Sequence, residues 1–495
     1  MSRYKKLTLL HSNDMHGDFL AQNVDENLVG GVSMLSGYVS KVRNEEKNTL
    51  YCIAGDMFRG SVIDSEFKGV STIEIMNILS PDVVTLGNHE TDYGVAHLLF
   101  IEKCARFPII NANLHIRTNG ARLFNSHHIF ELDGMKILFI GIITESVMKQ
   151  AKNEGLVGAF IDVHEAAQEV GRICDAYRRT DVDLTVLLTH IGFEEDKQLA
   201  AQLDPAWGVD IIVGGHSHTF IDEPAVVNGI PVVQAGVGTD GIGRFDITVD
   251  TDNNCLADYK WQLVPITPEN CPRDEAIDEV LTSYKNITDV KYNRVVARLK
   301  KKLTHPDRYR ETQLGDLFCD ILAERLGVDV MFLASGSIRG EELGPVVQYR
   351  NLTECFPYDG NVKMLTVSGS QIRSMLKFML RDEVWQGRGS GFFQISKRLR
   401  VCYDIPKGEI TSLTFDGKAV GDDTLYRIGL QQFQYSSFEK YFNLPINEIE
   451  DKHPTRTVAT SVRDIVEEYF SSVQNIDADL DGRITITGKK NRETV

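Results

Sequence analysis

The sequence predicts an α/β protein of two domains, and three observations carry that prediction. Short apolar runs alternate with amphipathic stretches from the N-terminus to about residue 265. A charged stretch, 268–303, interrupts the alternation, and a second series of strand-like and helix-like segments fills the rest of the chain. At 495 residues the chain is also longer than one ordinary core serves.

In order, the expected strands of the first domain (1–267) are Leu7–Leu10, Leu50–Ala54, Val83–Leu86, Ile109–Ala112, Ile137–Ile142, Leu184–Leu188, Ile211–Val213 and Val232–Ala235. Their β-branched and aliphatic content, with glycine or polar residues at the ends, fits strands buried in a parallel sheet. Between them Gly31–Arg43, Ser71–Leu79 and His164–Arg179 repeat apolar residues at helical spacing. Residues 268–303 read as a linker: an exposed helix, with apolar positions alternating in Ala276–Thr288, running into the basic turn Lys300–Lys302. The second domain (304–495) opens with the helix Thr312–Leu326 and the strand Val328–Leu333. It then shows a Gly/Ser turn ending in Arg339, the strands Val362–Val367 and Leu399–Tyr403, and the helix Ser370–Leu380. Near its end Asp477–Gly482 imitates the start of a calcium loop. The twelfth position is Gly488 rather than the bidentate glutamate such a loop needs, so a turn before a strand at Ile484–Ile486 is expected. The polar tail 489–495 is expected to be frayed.

The formal charge of −17 argues against nucleic acid or an anionic membrane as partner, because a polyanion is repelled at long range. A small phosphorylated substrate is compatible, since metal ions and arginines can meet it locally. The first apolar run stops after Leu10, short of a secretory signal, and no stretch has the length of a membrane span. The eight cysteines lack CxxC spacing, as expected of reduced thiols in the cytoplasm.

Chemistry-bearing residues gather at strand ends, where open α/β sheets place their sites. Leu7–Leu10 runs into Asp14 and His16, and Leu50–Ala54 into Gly55-Asp56. Val83–Leu86 runs into Gly87-Asn88-His89-Glu90 and Asp92, Leu184–Leu188 into His190, and Ile211–Val213 into Gly-Gly-His216-Ser-His218. Asn88 can offer a carbonyl oxygen to a metal. His89 is a candidate proton donor or charge stabiliser whose ring Asp92 could hold in one tautomer. Each histidine taken alone could simply pack at a strand end. Together, carboxylate, imidazole and amide donors suit Zn²⁺, Mn²⁺ or Fe²⁺, and the lack of thiolates argues against a structural zinc site.

The ordered set Asp14-x-His16, Gly-Asp56, Gly-Asn88-His89-Glu, His190 and Gly-His216-x-His218 resembles the calcineurin-like metallophosphoesterases. The run GNHETDYG, the linker and the second domain extend the resemblance over nearly the whole chain, to the two-domain 5′-nucleotidase family. The resemblance implies a metallophosphoesterase sandwich followed by a 5′-nucleotidase-type substrate domain. It also implies two divalent ions. Asp14, His16, Asp56 and His218 would hold one, and Asp56, Asn88, His190 and His216 the other. His218 stands where secreted members often carry glutamine. The implied reaction is hydrolysis of a phosphate ester, most simply a nucleoside 5′-monophosphate, by metal-activated hydroxide, with His89 and Asp92 catalytic.

For the substrate, the resemblance implies Arg308 and Arg339 on the phosphate, Arg310 as a nearby candidate, and Tyr358 and Phe433 as rings around the base. Two departures stand out. The usual Asn-Gly-Gly before the arginine is Ala334-Ser335-Gly336, and the usual Gly-Gly-Asp-Gly is Ser436-Ser437-Phe438-Glu439, which leaves Glu439 as substitute for a ribose-binding aspartate. Metals on the first domain and rings on the second would place substrate between the domains, with the linker as a hinge. The alternatives are a 2′,3′-cyclic nucleotide or nucleotide-sugar phosphodiesterase, a more distant sulfur-ester hydrolase, ordinary core packing for the two rings, and a protein that only binds anions through its metals.

Overall fold

Leu7, Leu9 and Leu10, almost wholly buried, sit in the strand Tyr4–Ser12, whose alternating sides serve two different cores. Leu7 and Leu9 face a second sheet, while Leu10 faces a layer of helices. The computed structural model describes residues 3–24, 27–116, 118–143, 157–158, 162–386, 391–473 and 475–488. The chain divides into two units, Met1–Thr288 and Asp289–Val495.

The first sheet of unit 1 has the strand order Cys255–Pro265, Gly241–Asp250, Tyr4–Ser12, Thr49–Ala54, Val83–Thr85, Ile109–Ile110. The last four run parallel to one another, and Gly241–Asp250 pairs antiparallel with both of its neighbours. The second sheet has the order Ala225–Val227, Ile230–Val233, Ile211–Val213, Leu184–His190, Met135–Ile143, His127–Leu132, with antiparallel strands at its two edges. The eight expected strands all form, but the expected parallel sheet is corrected to two mixed sheets. Between the sheets Leu7, Leu9 and Cys52 pack with Phe139, Val186 and Val213. Helices Val32–Glu45, Val70–Leu79 and Val95–Cys104 cover the outer face of the first sheet, and Val163–Tyr177 and Phe193–Gln202 that of the second. Unit 1 is thus a four-layer α/β/β/α sandwich.

Residues 268–303 contain the helix Glu275–Asn293 and the strand Val295–Arg298. The helix is not merely exposed, as expected, because some of its apolar residues are buried while Ile287 and Val290 stay open. Ile277 and Leu281 join a core of unit 1, while Tyr292, Val296, Leu299 and Leu303 join one of unit 2.

Unit 2 contains a five-stranded sheet ordered Phe393–Ile395, Val330–Ala334, Leu425–Gln431, Val362–Ser368, Arg456–Ala459. Its helix Gln313–Leu326 begins where the Thr312 hydroxyl caps Gly315 N–H at 3.2 Å, and stops at Gly327 in the left-handed region. Phe318 and Leu322 of that helix pack with Met331 and Leu333 of the sheet, while Gly369–Met379 serves a second core. After the expected turn, Ile484–Thr487 pairs parallel with Leu399–Asp404 in a separate four-stranded sheet. The tail 489–495 lies outside the described residues. No helix among the described residues is long and apolar enough to cross a membrane.

Candidate active site

Strands ending at Ser12, Ala54, Thr85, His190 and Val213 deliver side chains to one place in unit 1. Immediately after them the backbone takes up unfavourable conformations. Asp14, His16, Asp56, His216 and His218 all have positive φ. L-residues adopt this region at a cost, so five such residues in one cluster mark strain held by surrounding structure. Glycine is required where the turns touch the cluster. A Cβ on Gly87 would lie 2.2 Å from Asp56 Oδ1, and one on Gly215 2.8 Å from His190 Nδ1.

The donor atoms converge as three groups, each with its members within 4.8 Å of one another: Asp14, His16 and His218; His16, Asp56 and His89; and Asp56, His190 and His216. His190 and Asp14 are fully buried. His190 Nδ1 donates to Ala54 O at 2.8 Å, which leaves Nε2 facing Asp56 Oδ2 at 3.1 Å, where a proton or a cation can sit. His16 Nδ1 likewise donates to Phe58 O at 3.2 Å, so its Nε2 faces His218 Nε2 at 3.0 Å. Asn88 Oδ1 is buried with no hydrogen-bond partner, and so is His190 Nε2. Imidazole and carboxylate donor atoms therefore converge, with the buried Asn88 oxygen unpartnered on the loop that carries His89. That donor set fits divalent cations. The charges agree. Burial alone would push His190 down, yet the Asp56 carboxylate draws it up to about 10, so the cluster attracts positive charge.

His89 stands beside the cluster. Its Nδ1 lies 2.6 Å from Asp92 Oδ2, and its backbone N–H donates to Asp56 Oδ1 at 2.8 Å. The Asp92 hydrogen bond raises the imidazole above its ordinary value, against the opposing effect of burial. Burial pushes Asp92 up, but His89 and the paired Arg59 guanidinium outweigh it and hold the carboxyl below the usual range.

Three further residues have roles that spacing did not reveal. Glu90 is buried and accepts the N–H groups of Asp56 at 3.0 Å, Met57 at 2.7 Å and Gly87 at 2.6 Å, clamping two ligand loops together. Asn13 donates to Asp14 Oδ2 at 2.7 Å and accepts Ala235 N–H at 2.8 Å. Arg59 pairs with Asp92. Glu90 and Asn13 lie inside the recognisable motifs, and that adjacency is the one signal the sequence offered.

In unit 2 the parallel strands Val330–Ala334 and Leu425–Gln431 end at a cavity of about 470 Å³. Arg308, Arg339, Tyr358 and Phe433 all line it. Tyr358 is 47% exposed and Phe433 67%, so core packing is not their role. Arg339 Nη2 donates to Tyr358 Oη at 2.5 Å and its guanidinium lies over the Tyr358 ring. Arg310 does not line the cavity, and its Nε lies 3.2 Å from Asp307. Glu439 does not line it either, and its helix Phe438–Phe442 packs through Phe438 and Phe442. Gln394, behind the lining, ties two segments that carry lining residues by donating to Arg310 O at 2.7 Å and Ser335 Oγ at 2.9 Å.

Comparison with known proteins agrees with both units. The family model for calcineurin-like phosphoesterases matches residues 7–220, and that for the 5′-nucleotidase C-terminal domain matches residues 295–444. A Mus musculus 5′-nucleotidase is 28% identical, with 81% of this chain and 75% of that protein covered. A Vibrio cholerae 5′-nucleotidase is 26% identical over 88% of this chain and 86% of its own. The crystal structure of a 5′-nucleotidase precursor from Thermus thermophilus shares the fold, with a TM-score of 0.63 and 24% identity, covering 98% of this chain and 100% of that one.

Proposed function

The chain belongs to the two-domain 5′-nucleotidase family of calcineurin-like metallophosphoesterases, and from that membership we propose that it hydrolyses a nucleoside 5′-monophosphate to nucleoside and phosphate. The observation that carries this reading is the convergence of donor atoms from five strand ends, beside an imidazole already paired with its own carboxylate.

Two divalent ions, one held by Asp14, His16, Asp56 and His218 and the other by Asp56, Asn88, His190 and His216, would clamp phosphoryl oxygens and lower the pKa of the attacking water. Manganese, zinc and iron all suit this donor set. The chain's own residues do the rest. Asp92 holds the His89 ring in orientation and favours its cation, so His89 is poised to offset charge on the phosphoryl group or to protonate the leaving oxygen. Arg59 keeps Asp92 ionised for that task. Glu90 fixes the loop carrying Asp56.

In unit 2 the open rings of Tyr358 and Phe433 supply faces for a nucleobase. The guanidiniums of Arg308 and Arg339 supply forked donors for phosphate. A binder of anions has no need of the His89–Asp92 pair, which favours turnover over mere capture. The cytoplasm as the site of action is part of this reading, resting on eight cysteines that lack CxxC spacing.

A turnover screen of the purified chain tests the substrate class. Nucleoside 5′-monophosphates should give the highest kcat/KM among those esters, 2′,3′-cyclic nucleotides, nucleotide sugars and a small aryl phosphate. A cyclic nucleotide or nucleotide sugar turned over far better would overturn the assignment while leaving the hydrolase reading intact.

A further inference from the structure

Unit 2 holds a second group of oxygen donors, distant in sequence from every motif of the catalytic cluster. Asp316 lies in the first turn of the helix Gln313–Leu326 and is only 1% exposed. Neither of its carboxylate oxygens accepts a hydrogen bond. A buried carboxylate without hydrogen bonds is costly, so something must neutralise it. Oxygens of Glu311, Asp316 and Asp481 all lie within 4.8 Å of one another.

The neighbours are committed elsewhere. Glu311 Oε1 accepts Gly482 N–H and its Oε2 accepts Ile484 N–H, each at 2.9 Å, which orients the carboxylate and leaves each oxygen a second lone pair. Arg483 Nε is 3.5 Å from Asp316 Oδ1, but it donates to Asp481 Oδ1 at 3.0 Å instead. The fork of Arg483 is taken by Asp320, at 2.9 and 2.8 Å. Arg400 Nη2 lies 3.3 Å from Asp481 Oδ2. Four carboxylates (Glu311, Asp316, Asp320, Asp481) thus face two guanidiniums (Arg400, Arg483), four negative charges against two positive, a deficit of two.

We propose that Glu311, Asp316 and Asp481 bind a hard divalent cation, calcium foremost. An all-oxygen, carboxylate-rich set selects such ions over zinc or copper. Asp481 is the third aspartate of the turn Asp477–Gly482, whose other two acids pair with Lys301. The turn is therefore no calcium loop in itself, and the missing ligands come from Glu311 and Asp316. Glu311 directly follows Arg310 and lies three residues beyond Arg308. The ion would tie the segment carrying Arg308 to the strand Ile484–Thr487. The rival device is a proton on Asp316, whose carboxyl burial pushes up to about 9.

Equilibrium dialysis of the full chain, stripped with chelator and titrated with radiocalcium, separates the two. Asp316→Asn should bind one calcium fewer than the unmodified chain, and calcium should raise the unfolding midpoint of the unmodified chain more than that of the variant. Asp481→Asn, on the more exposed turn, should weaken the same site at least about tenfold and decides the matter if Asp316→Asn does not fold. Equal stoichiometry and affinity in all three proteins would overturn the proposal, and so would the absence of calcium, magnesium or manganese binding beyond what Asp56→Ala removes. An Asp316→Asn chain as stable as the unmodified one, with no ion lost, would assign the buried acid to a proton.

Discussion

Glu90 accepts the backbone N–H of Asp56 at 3.0 Å, so the carboxylate common to two of the donor groups is positioned by a buried acid. Glu90→Gln keeps the size but cannot accept three N–H groups in the same geometry. Turnover should fall roughly 10- to 100-fold with the metal requirement retained, as when support behind a ligand is lost. Metal-dependence of the residual rate, measured by titrating the ion, checks it. Full activity in Glu90→Gln would remove Glu90 from the site.

The 2.6 Å hydrogen bond between His89 and Asp92 predicts that the two act as a unit. His89→Ala should lower kcat by roughly 10²- to 10⁴-fold, and adding Asp92→Ala should cost little more, because both changes remove the same stabilisation. Single-turnover rates of the two single variants and the double variant decide it. Defects that simply multiply would show two independent residues.

Under the proposed function Tyr358 and Phe433 would grip the base rather than the phosphate. The pair Tyr358→Ala with Phe433→Ala should raise KM for a nucleoside monophosphate at least about tenfold, from lost stacking, and leave a small aryl phosphate nearly unaffected. Equal losses on both substrates, with the fold intact by circular dichroism, would make the nucleotide pocket wrong.

His11 supplies a pH test of stability. It is fully buried, accepts the Trp261 Nε1–H on Nε2 at 3.0 Å, and burial pushes it down to about 3. The folded value lies below the unfolded 6.5, so the unfolded chain takes up the proton first as pH falls. Stability from this group is therefore full above pH 6.5 and drains away toward pH 3, by about 2 kcal/mol at pH 5. Urea midpoints between pH 7.5 and 5 should fall more steeply for the unmodified chain than for His11→Gln. Parallel curves would mean that His11 titrates normally.

Much of this was legible because the informative residues are either buried runs or abrupt interruptions of them. Leu184–Leu188 is apolar but for Thr185 and leads into His190, so strand and candidate site are read together. Gly241–Asp250 and Cys255–Pro265 went unread although they are among the longest strands. Their outward residues, such as Arg244, Asp246 and Lys260, alternate with buried or half-buried ones and dilute the apolar signal. Glu90 was hidden because it works on backbone N–H groups, which leave no mark in spacing. Where Arg310 turns could not be read, because neighbours on an irregular segment point apart, and its guanidinium turns to Asp307. The acids around Asp481 could not be found in sequence, since Glu311 and Asp316 reach it only through the fold.

The central claim is metal-dependent phosphohydrolysis with Asp56 at its heart, and the most direct measurement is kcat on a nucleoside monophosphate after metal removal and add-back. Chelation should abolish turnover, Mn²⁺ or Zn²⁺ should restore it, and Asp56→Ala should stay at least about a thousandfold down at saturating ion. Turnover that survives both full chelation and Asp56→Ala would contradict the account.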